Sequence, residues 1–231
     1  MARLIDWRTK RPDVDAVATA IRAGQVAILP TDTCYGIACD AFNSDAVSRL
    51  KLARSMPSDV PVTVMAKDLD VVSALAVDIP DRTRRLAQTY WPGPLSILLT
   101  AQPSLNWNLG ASGNTVAVRV PNYPLLLELL DACGPLAVSQ ASPMGVPPPF
   151  TVDEALLSMG DGVDIAVEGG ALEARPRSTF VDGRDDDLAL LRAGPISIGD
   201  LLAAAEAKSN GEQAAVELPG SGTIADDVDR V

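Results

Sequence analysis

Histidine is absent from this 231-residue chain, and its absence excludes several kinds of catalytic chemistry. Without an imidazole there is no Ser-His-Asp triad, no histidine acid–base step and no zinc site of the common kind. Cysteine is scarce as well, and Cys34 and Cys39 alone cannot complete a metal site; the third is Cys133. An odd number of cysteines without a dense framework predicts reduced thiols, so we expect Cys34 and Cys39 to be small packing residues.

Aromatic residues make up only 4% of the chain, although 47% of it is hydrophobic. A core of ordinary size therefore has to be built mainly from Ala, Val, Leu and Ile. No apolar run approaches the roughly 20 residues that a membrane-spanning helix needs. The first six residues lack the basic and then apolar order of a signal peptide. The sequence thus predicts a cytoplasmic protein with no membrane segment.

Basic residues are few, with 19 Lys and Arg against 30 Asp and Glu, and the formal net charge is −11. Such an excess of acid repels phosphate backbones and argues against tight nonspecific binding of nucleic acids. Six of the acids and only two bases fall in residues 206–231, so part of the excess belongs to the C-terminal end. A basic cleft inside an acidic shell remains compatible with these numbers.

Helix and strand patterns alternate along the chain. Val14, Val17 and Ile21 keep a helical spacing before Gly24, and residues 26–29 form a short apolar run typical of a strand. Further helices are predicted after Asn43 or Ser44, over 81–90 and 124–132, after a capping box at 151–154, and over 198–208. Further strands are predicted at 62–65, 96–100, 115–120, 136–139, 165–167, 179–182 and 188–191. This alternation predicts an α/β fold with a central twisted sheet over residues 1–208. Residues 209–231 are polar, aperiodic and acidic, which predicts a disordered tail.

The densest polar cluster, Pro-Thr-Asp-Thr-Cys-Tyr-Gly at 30–36, directly follows a predicted buried strand. Ligands of open α/β sheets bind at the carboxyl ends of strands, where three hydroxyls and a carboxylate can bond a polar substrate. A turn whose Thr and Asp side chains bond their own backbone would have the same composition. Both interpretations remain open from spacing alone.

The strand at 115–120 places Thr115, Ala117 and Arg119 on one face. An arginine that points from a strand into a cleft suits a carboxylate, which it can hold with two parallel hydrogen bonds. A surface salt bridge is the alternative. Arg177 and Arg192 begin one late strand and end the next, and Arg192 precedes a small-residue turn that a phosphate could approach.

Five segments, in this order, resemble the YrdC/TsaC family of threonylcarbamoyl-AMP synthases over roughly residues 12–205. They are Pro-Thr-Asp-Thr-x-Tyr-Gly at 30–36, Trp-Pro-Gly-Pro at 91–94, Thr-Val-Ala-Val-Arg-x-Pro at 115–121, Ser-Thr-x-Val-Asp at 178–182 and Arg-x-Gly-x-Ile-Ser at 192–197. The resemblance implies a twisted open sheet with helices on both faces and a large concave cleft. The chain has the length of the family's single-domain members.

The same resemblance implies a reaction in which L-threonine, bicarbonate and ATP form threonylcarbamoyl-AMP and pyrophosphate, for the modified adenosine beside the anticodon of tRNAs. Partners would include tRNA-modification proteins, and Mg²⁺ would be carried on the ATP phosphates without protein ligands. By resemblance, Thr33, Arg119 and Ser178 hold threonine. Nucleotide contacts fall to Arg54, Thr115, Ser142 and Arg192, and support to Thr31, Asp32, Tyr35, Lys51, Gln140 and Thr179.

Two segments depart from the family pattern. Residues 54–57 read Arg-Ser-Met-Pro where the family has Lys-x-Arg-Pro, so Met56 replaces an arginine; Lys51, one helical turn earlier, is a candidate to compensate. Residues 140–145 read Gln-Ala-Ser-Pro-Met-Gly where the family has Ser-Ala-Asn-x-Ser-Gly, which changes three polar positions, Gln140, Ser142 and Met144.

Three functions therefore stay open. The first is a synthase with altered nucleotide contacts. The second is a catalytically weak or inactive paralogue that regulates by binding a small molecule or nucleotide. The third is an RNA-binding module, which the net charge of −11 disfavours.

Overall fold

Eleven strands pair into one mixed sheet in the computed structural model, which describes residues 2–207. The strands are β1 (Arg3–Asp6), β2 (Ala27–Pro30), β3 (Tyr35–Asp40), β4 (Thr63–Met65), β5 (Ala76–Val77), β6 (Leu95–Ala101), β7 (Thr115–Arg119), β8 (Leu136–Gln140), β9 (Ile165–Glu168), β10 (Thr179–Asp182) and β11 (Ala189–Arg192). Their order is β1-β9-β2-β3-β8-β4-β7-β6-β10-β11, with β5 paired to β6. Neighbours are parallel in the pairs β1–β9, β9–β2, β4–β7 and β6–β10, and antiparallel in the rest.

Helices separate most of these strands, and several begin where a side chain caps the helix. They are α1 (Val14–Arg22), α2 (Ser44–Ala53), α3 (Leu69–Leu75), α4 (Asp81–Tyr90), α5 (Pro124–Cys133), α6 (Val152–Met159) and α7 (Ile198–Glu206). Asn43 caps α2, and Thr151 with Glu154 forms the predicted capping box of α6. Among residues 2–207 no helix is long and apolar enough to cross a membrane.

Both faces of the sheet are buried, as the family resemblance implies. On β2, Ile28 packs into one hydrophobic cluster and Leu29 into the other, because successive side chains of a strand point to opposite faces. Helices α1 and α5 cover the Leu29 face with residues such as Ile21 and Leu129. Leu50 of α2 belongs to the cluster on the Ile28 side. The α/β class with helices on both faces is thus confirmed.

The structure adds elements that the sequence pattern did not predict, namely β1, β3, α3 and β5. The five residues 35–39 of β3 are all buried, so the strand carries no alternation to reveal it. The cluster at 30–36 directly follows β2, as predicted, and it forms the β2–β3 hairpin turn together with the first two residues of β3. The predicted tail at 209–231 lies outside the described residues, as does residue 208 of the predicted domain and last helix.

The link from β9 to β10, residues 169–178, joins opposite halves of the sheet, because β9 and β10 lie seven strand positions apart in the order. Seven spacings of a flat sheet span about 34 Å, and ten residues reach at most about 36 Å when fully extended. The link can therefore bridge this distance only if it runs nearly straight or if the curvature of the sheet brings β9 and β10 closer together. Its last residues, Arg177 and Ser178, line the cleft described next.

Candidate active site

A cleft of about 670 Å³ is the main cavity of the part of the chain that the structure describes. Its walls come from the β2–β3 turn, one face of β7, the start of β10, the end of β11 and the loops at 54–63 and 139–145. Within residues 2–207 the lining contains no Asp or Glu, but it contains four arginines: Arg54, Arg119, Arg177 and Arg192. A basic cleft therefore lies within a chain of net charge −11.

Arg119 is held in place from three directions. Its Nε donates to the Gly93 carbonyl at 3.1 Å and its Nη1 to the Thr33 hydroxyl at 3.1 Å. Its Nη2 pairs with the Asp32 carboxylate at 2.6 Å, and the two side chains are only 5% and 11% exposed. Three of the five guanidinium N–H groups are thus used, which leaves two for a ligand in the cleft. The strand pattern placed Arg119 on this face correctly, and the ion pair it makes is buried.

The polar side chains of the turn between β2 and β3 have two roles: one bonds the backbone of the turn, and the others act at the cleft. The Thr31 hydroxyl accepts from the backbone nitrogens of Thr33 and Cys34 and donates to the Cys34 carbonyl, so it serves the turn itself. The Thr33 hydroxyl faces the cleft next to Arg119, and Asp32 orients that arginine. Each of the two interpretations of this segment therefore describes part of it.

Ser178 and Arg192 contact each other in the wall of the same cleft. The Ser178 hydroxyl lies 2.9 Å from the Ser96 hydroxyl and accepts from Arg192 Nη2 at 3.0 Å. Arg192 also donates twice to the Ser178 carbonyl and lies over the Phe180 ring at 5.6 Å. Burial first, and then the charge of Arg177, lowers the pKa of the Arg192 guanidinium. The group is fixed but has no acidic partner among the described residues.

Arg54 joins the two segments that depart from the family pattern. Its Nε donates to the Ser142 carbonyl at 2.8 Å, its Nη1 donates to the Ser139 hydroxyl at 2.5 Å, and the Met56 sulfur lies 3.8 Å from the same nitrogen. The Met144 nitrogen donates to the Arg54 carbonyl in return. Burial is the main cause that lowers the pKa of this guanidinium. Arg54, Met56 and Met144 all line the cleft, so this wall carries one cation and two thioethers.

Ser142 is turned into the protein and is fully buried. Its hydroxyl donates to the Val146 carbonyl at 3.1 Å and accepts from the Gln140 amide at 2.8 Å. Gln140 also donates to the same carbonyl and lines the cleft. The loop at 140–146 therefore satisfies its own polar groups, and of the two side chains only Gln140 is placed to contact a ligand.

Predicted site residues fall into two groups by position. Eight line the cleft: Thr31, Thr33, Arg54, Thr115, Arg119, Gln140, Ser178 and Arg192. Five do not: Asp32, Tyr35, Lys51, Ser142 and Thr179. Asp32 acts through Arg119, and the Thr179 hydroxyl bonds the Ile196 backbone, while Ser142 is buried as described. Thr115 lines the cleft while its hydroxyl donates to the Ser112 carbonyl.

Lys51 and Tyr35 support the walls from outside the cleft. The Lys51 ammonium donates to the Ser58 carbonyl at 2.7 Å and lines a smaller cavity that Met56 also lines. The Tyr35 hydroxyl donates to the Gly170 carbonyl and accepts from the Gly169 nitrogen, which anchors the start of the β9–β10 link. Burial raises the pKa of Tyr35 to about 12.

Five polar residues that line the cleft were not among the predicted site residues: Thr63, Ser96, Ser112, Ser139 and Arg177. Ser96 and Ser139 lie on predicted strands, where alternation leaves open which face looks into the cleft. Arg177 directly precedes the Ser-Thr-x-Val-Asp segment, and that adjacency was the signal available for it.

The thiols occupy different surroundings. Cys34 lines the cleft, whereas Cys39 packs in the hydrophobic core. Burial raises the pKa of the Cys34 thiol and raises that of Cys39 to about 12. Cys34 is thus a buried residue in the wall of the cleft, and its raised pKa keeps the thiol protonated at neutral pH.

We expect iodoacetamide to modify Cys34 slowly at neutral pH and faster as the pH rises, because the thiolate is the reactive form and the raised pKa keeps the thiol protonated. ATP with L-threonine should slow this modification, because Cys34 lines the cleft. Peptide mapping by mass spectrometry measures both effects. Cys39 is the internal control, and modification of Cys39 as fast as Cys34 in the folded protein would contradict the expectation.

No group of three or more His, Cys, Asp or Glu side chains among the described residues is arranged to hold a metal ion. The polar groups of the cleft are hydroxyls, amides and guanidiniums. Such a set suits an anionic ligand with many oxygen acceptors.

Comparison with known proteins shows which family this chain is similar to. The Sua5/YciO/YrdC family model, described as telomere recombination, matches residues 19–194. A Mycobacterium tuberculosis protein with the provisional name threonylcarbamoyl-AMP synthase is 41% identical over 178 residues, which cover 77% of this chain and 82% of that protein. The Bacillus subtilis threonylcarbamoyl-AMP synthase is 32% identical over 191 residues, 82% of this chain and 55% of that protein.

A solved structure shares the fold over most of the described residues. The crystal structure of Pyrococcus abyssi Sua5 complexed with L-threonine superposes with a TM-score of 0.81 and 25% identity, and the match covers 88% of this chain and 60% of that one. This chain thus spans less than two thirds of the length of that Sua5. Since the family model covers well over half of the sequence and the mycobacterial relative exceeds 40% identity, the chain belongs to the Sua5/YciO/YrdC family.

Proposed function

We propose that this protein is a threonylcarbamoyl-AMP synthase, which joins L-threonine, bicarbonate and ATP and releases pyrophosphate. The observation that carries the proposal is the cleft, where four arginines meet Ser and Thr hydroxyls and no carboxylate lines the wall within residues 2–207. Each substrate presents an anionic group to such a wall: threonine its carboxylate, bicarbonate its single negative charge and ATP its phosphates. The relatives named above support the same activity.

Arg119 and Thr33 form the proposed amino-acid end of the cleft. The two guanidinium N–H groups that remain free on Arg119 suit a carboxylate, and Asp32 holds the guanidinium in position. The Thr33 hydroxyl lies beside them, and Ser178 faces the same cavity. Support comes from the solved P. abyssi Sua5, whose structure contains L-threonine.

Arg54, Arg192 and Thr115 form the proposed nucleotide end. In the reaction, the threonine amine and bicarbonate give a carbamate with loss of water. A carbamate oxygen then attacks the α-phosphorus of ATP, the bond to the bridging oxygen breaks, and pyrophosphate leaves. Fixed guanidiniums stabilise the charge that develops on the phosphate oxygens, and the cleft aligns the two reactants. Mg²⁺ would enter bound to the ATP phosphates and would neutralise part of their charge.

The Sua5-family relatives favour the synthase over a non-catalytic regulator and over an RNA-binding module, since the relatives named above carry the synthase name. The inward-facing Ser142 and the thioether of Met56 mean that the nucleotide end has fewer polar contacts than the family pattern implies. We therefore expect weaker ATP binding than the motif alone predicts, with the reaction retained.

The test is product formation from purified protein in bicarbonate-depleted buffer, to which ATP-Mg, L-threonine and bicarbonate are added together or with one omitted. We expect pyrophosphate and a threonylcarbamoyl adenylate, detected by mass spectrometry, only when all three are present. ATP binding without product at high enzyme concentration would indicate the non-catalytic regulator. The absence of any binding of ATP or threonine would overturn the proposal.

A further inference from the structure

Arg177 is the last residue of the β9–β10 link before Ser178, and it lines the cleft together with Arg54 and Arg192. Its side chain is exposed and makes no hydrogen bond or ion pair with any described residue. Arg175, two residues earlier on the same link, pairs with Glu173 at 2.5 Å and does not line the cleft. The two neighbouring arginines thus differ in whether their charge is already neutralised.

Three of the four arginines in the cleft have no acidic partner within residues 2–207, since only Arg119 has one in Asp32. Like charges in one cavity repel each other, and this repulsion lowers the stability of the fold. A bound anion would offset the repulsion. The charge of Arg177 acts on both of the others. At Arg192 it is the second cause, behind burial, that lowers the pKa, and at Arg54 it also lowers the pKa. Arg177 therefore belongs with the cations of the proposed nucleotide end.

We propose that Arg177 binds the polyphosphate of ATP and is a specificity-determining residue of this site. This inference rests on the proposed function. Arg119 with Thr33 suffices for a single carboxylate, whereas three unneutralised guanidiniums exceed what one amino-acid carboxylate needs. A polyphosphate, with several charged oxygens in a row, matches three guanidiniums that line the same cleft. Arg177 also supplies a cation to a cleft whose wall carries a thioether at Met56.

The experiment compares Arg177→Gln with Arg175→Gln in the full chain, by isothermal titration with ATP-Mg, inorganic tripolyphosphate and L-threonine separately. Loss of one charge-assisted contact should weaken ATP and tripolyphosphate binding by about 10- to 100-fold for Arg177→Gln. Threonine binding should change by less than about twofold, and Arg175→Gln should match the wild type. Arg177→Lys, which keeps the charge without the planar fork, should recover part of the loss. Because the Arg177 side chain makes no hydrogen bond or ion pair with any described residue and its charge repels the neighbouring arginines, the unfolding temperature should stay the same or rise slightly.

Equal tripolyphosphate affinity for Arg177→Gln and the wild type would overturn the inference. So would a loss of threonine affinity with tripolyphosphate affinity retained, which would place Arg177 at the amino-acid end. A wild type that binds neither ATP nor tripolyphosphate would overturn this inference and the proposed function together. A wild type that binds both and loses them in Arg177→Gln, but yields no product, would leave Arg177 as assigned and refute only the catalytic proposal.

Discussion

Replacement of Arg119 by Gln is expected to abolish threonine binding and to lower the rate of product formation by at least about 100-fold, because the group proposed to hold the substrate carboxylate is removed. The same change should destabilise the fold by about 3–5 kcal/mol. It leaves the Asp32 carboxylate, which is 11% exposed and now 2.6 Å from Arg119 Nη2, without its ion-pair partner. Titration with L-threonine and urea unfolding measure the two effects separately.

The double variant Arg119→Gln with Asp32→Asn separates the two roles of the pair. With no carboxylate left to bury, much of the lost stability should return, while threonine binding should stay lost. Recovery of both would mean that Arg119 serves the fold only. Retention of threonine affinity in Arg119→Gln alone would contradict the proposed amino-acid end.

Replacement of Gly194 by Ala is expected to be the most damaging single-methyl change near the cleft. A Cβ there would lie 2.5 Å from the Arg177 carbonyl oxygen and closer still to the Thr179 nitrogen, both of them backbone atoms that cannot rotate away. Overpacking of this kind costs about 1–3 kcal/mol, occasionally more. It should also push Arg177 and Ser178 from Arg192, and such a displacement can cost about 100-fold in rate. Urea unfolding and initial rates of pyrophosphate release measure these effects.

Gly199→Ala is the matched control for Gly194→Ala. Gly199 lies in the first turn of α7, and the heavy atom nearest to its Cβ position is 3.7 Å away. Alanine is the better helix former, so stability should be unchanged or higher by up to about 1 kcal/mol, with activity retained. Equal damage from both substitutions would contradict the close approach of the chain at Gly194.

Pattern along the chain predicted much of this fold because its signals are local. Caps such as Asn43 and Thr151 act within one helical turn, and alternation on β7 depends only on the two-residue period of a strand. β3 escaped prediction for the opposite reason, since a strand buried on both faces has no alternation. The sequence therefore placed the cluster at 30–36 at the end of β2 but did not show that β3 follows it in a hairpin.

Contacts that complete the site join residues far apart in sequence, and no local rule reaches them. Arg119 meets Asp32 across 87 positions, and Arg54 meets Ser142 across 88. The direction of a loop side chain depends on such partners. Local pattern therefore could not show that Ser142, predicted to contact the nucleotide, lies buried. Nor could it show that Lys51, a candidate to compensate for Met56, lines a smaller cavity beside Met56.

The order and residue types of five short motifs were enough to establish the family, the α/β class and the chemistry to be tested, because a family's motif order survives changes elsewhere in a chain. Which of those residues face one another was settled only by folding. The sheet brings its far strands around one cleft, and the link at 169–178 carries Arg177 and Ser178 into its wall. The charge of the cleft is one such property. The net charge of −11 is summed over the whole chain, whereas the described residues that line the cleft include arginines and no carboxylate, which makes the cleft basic.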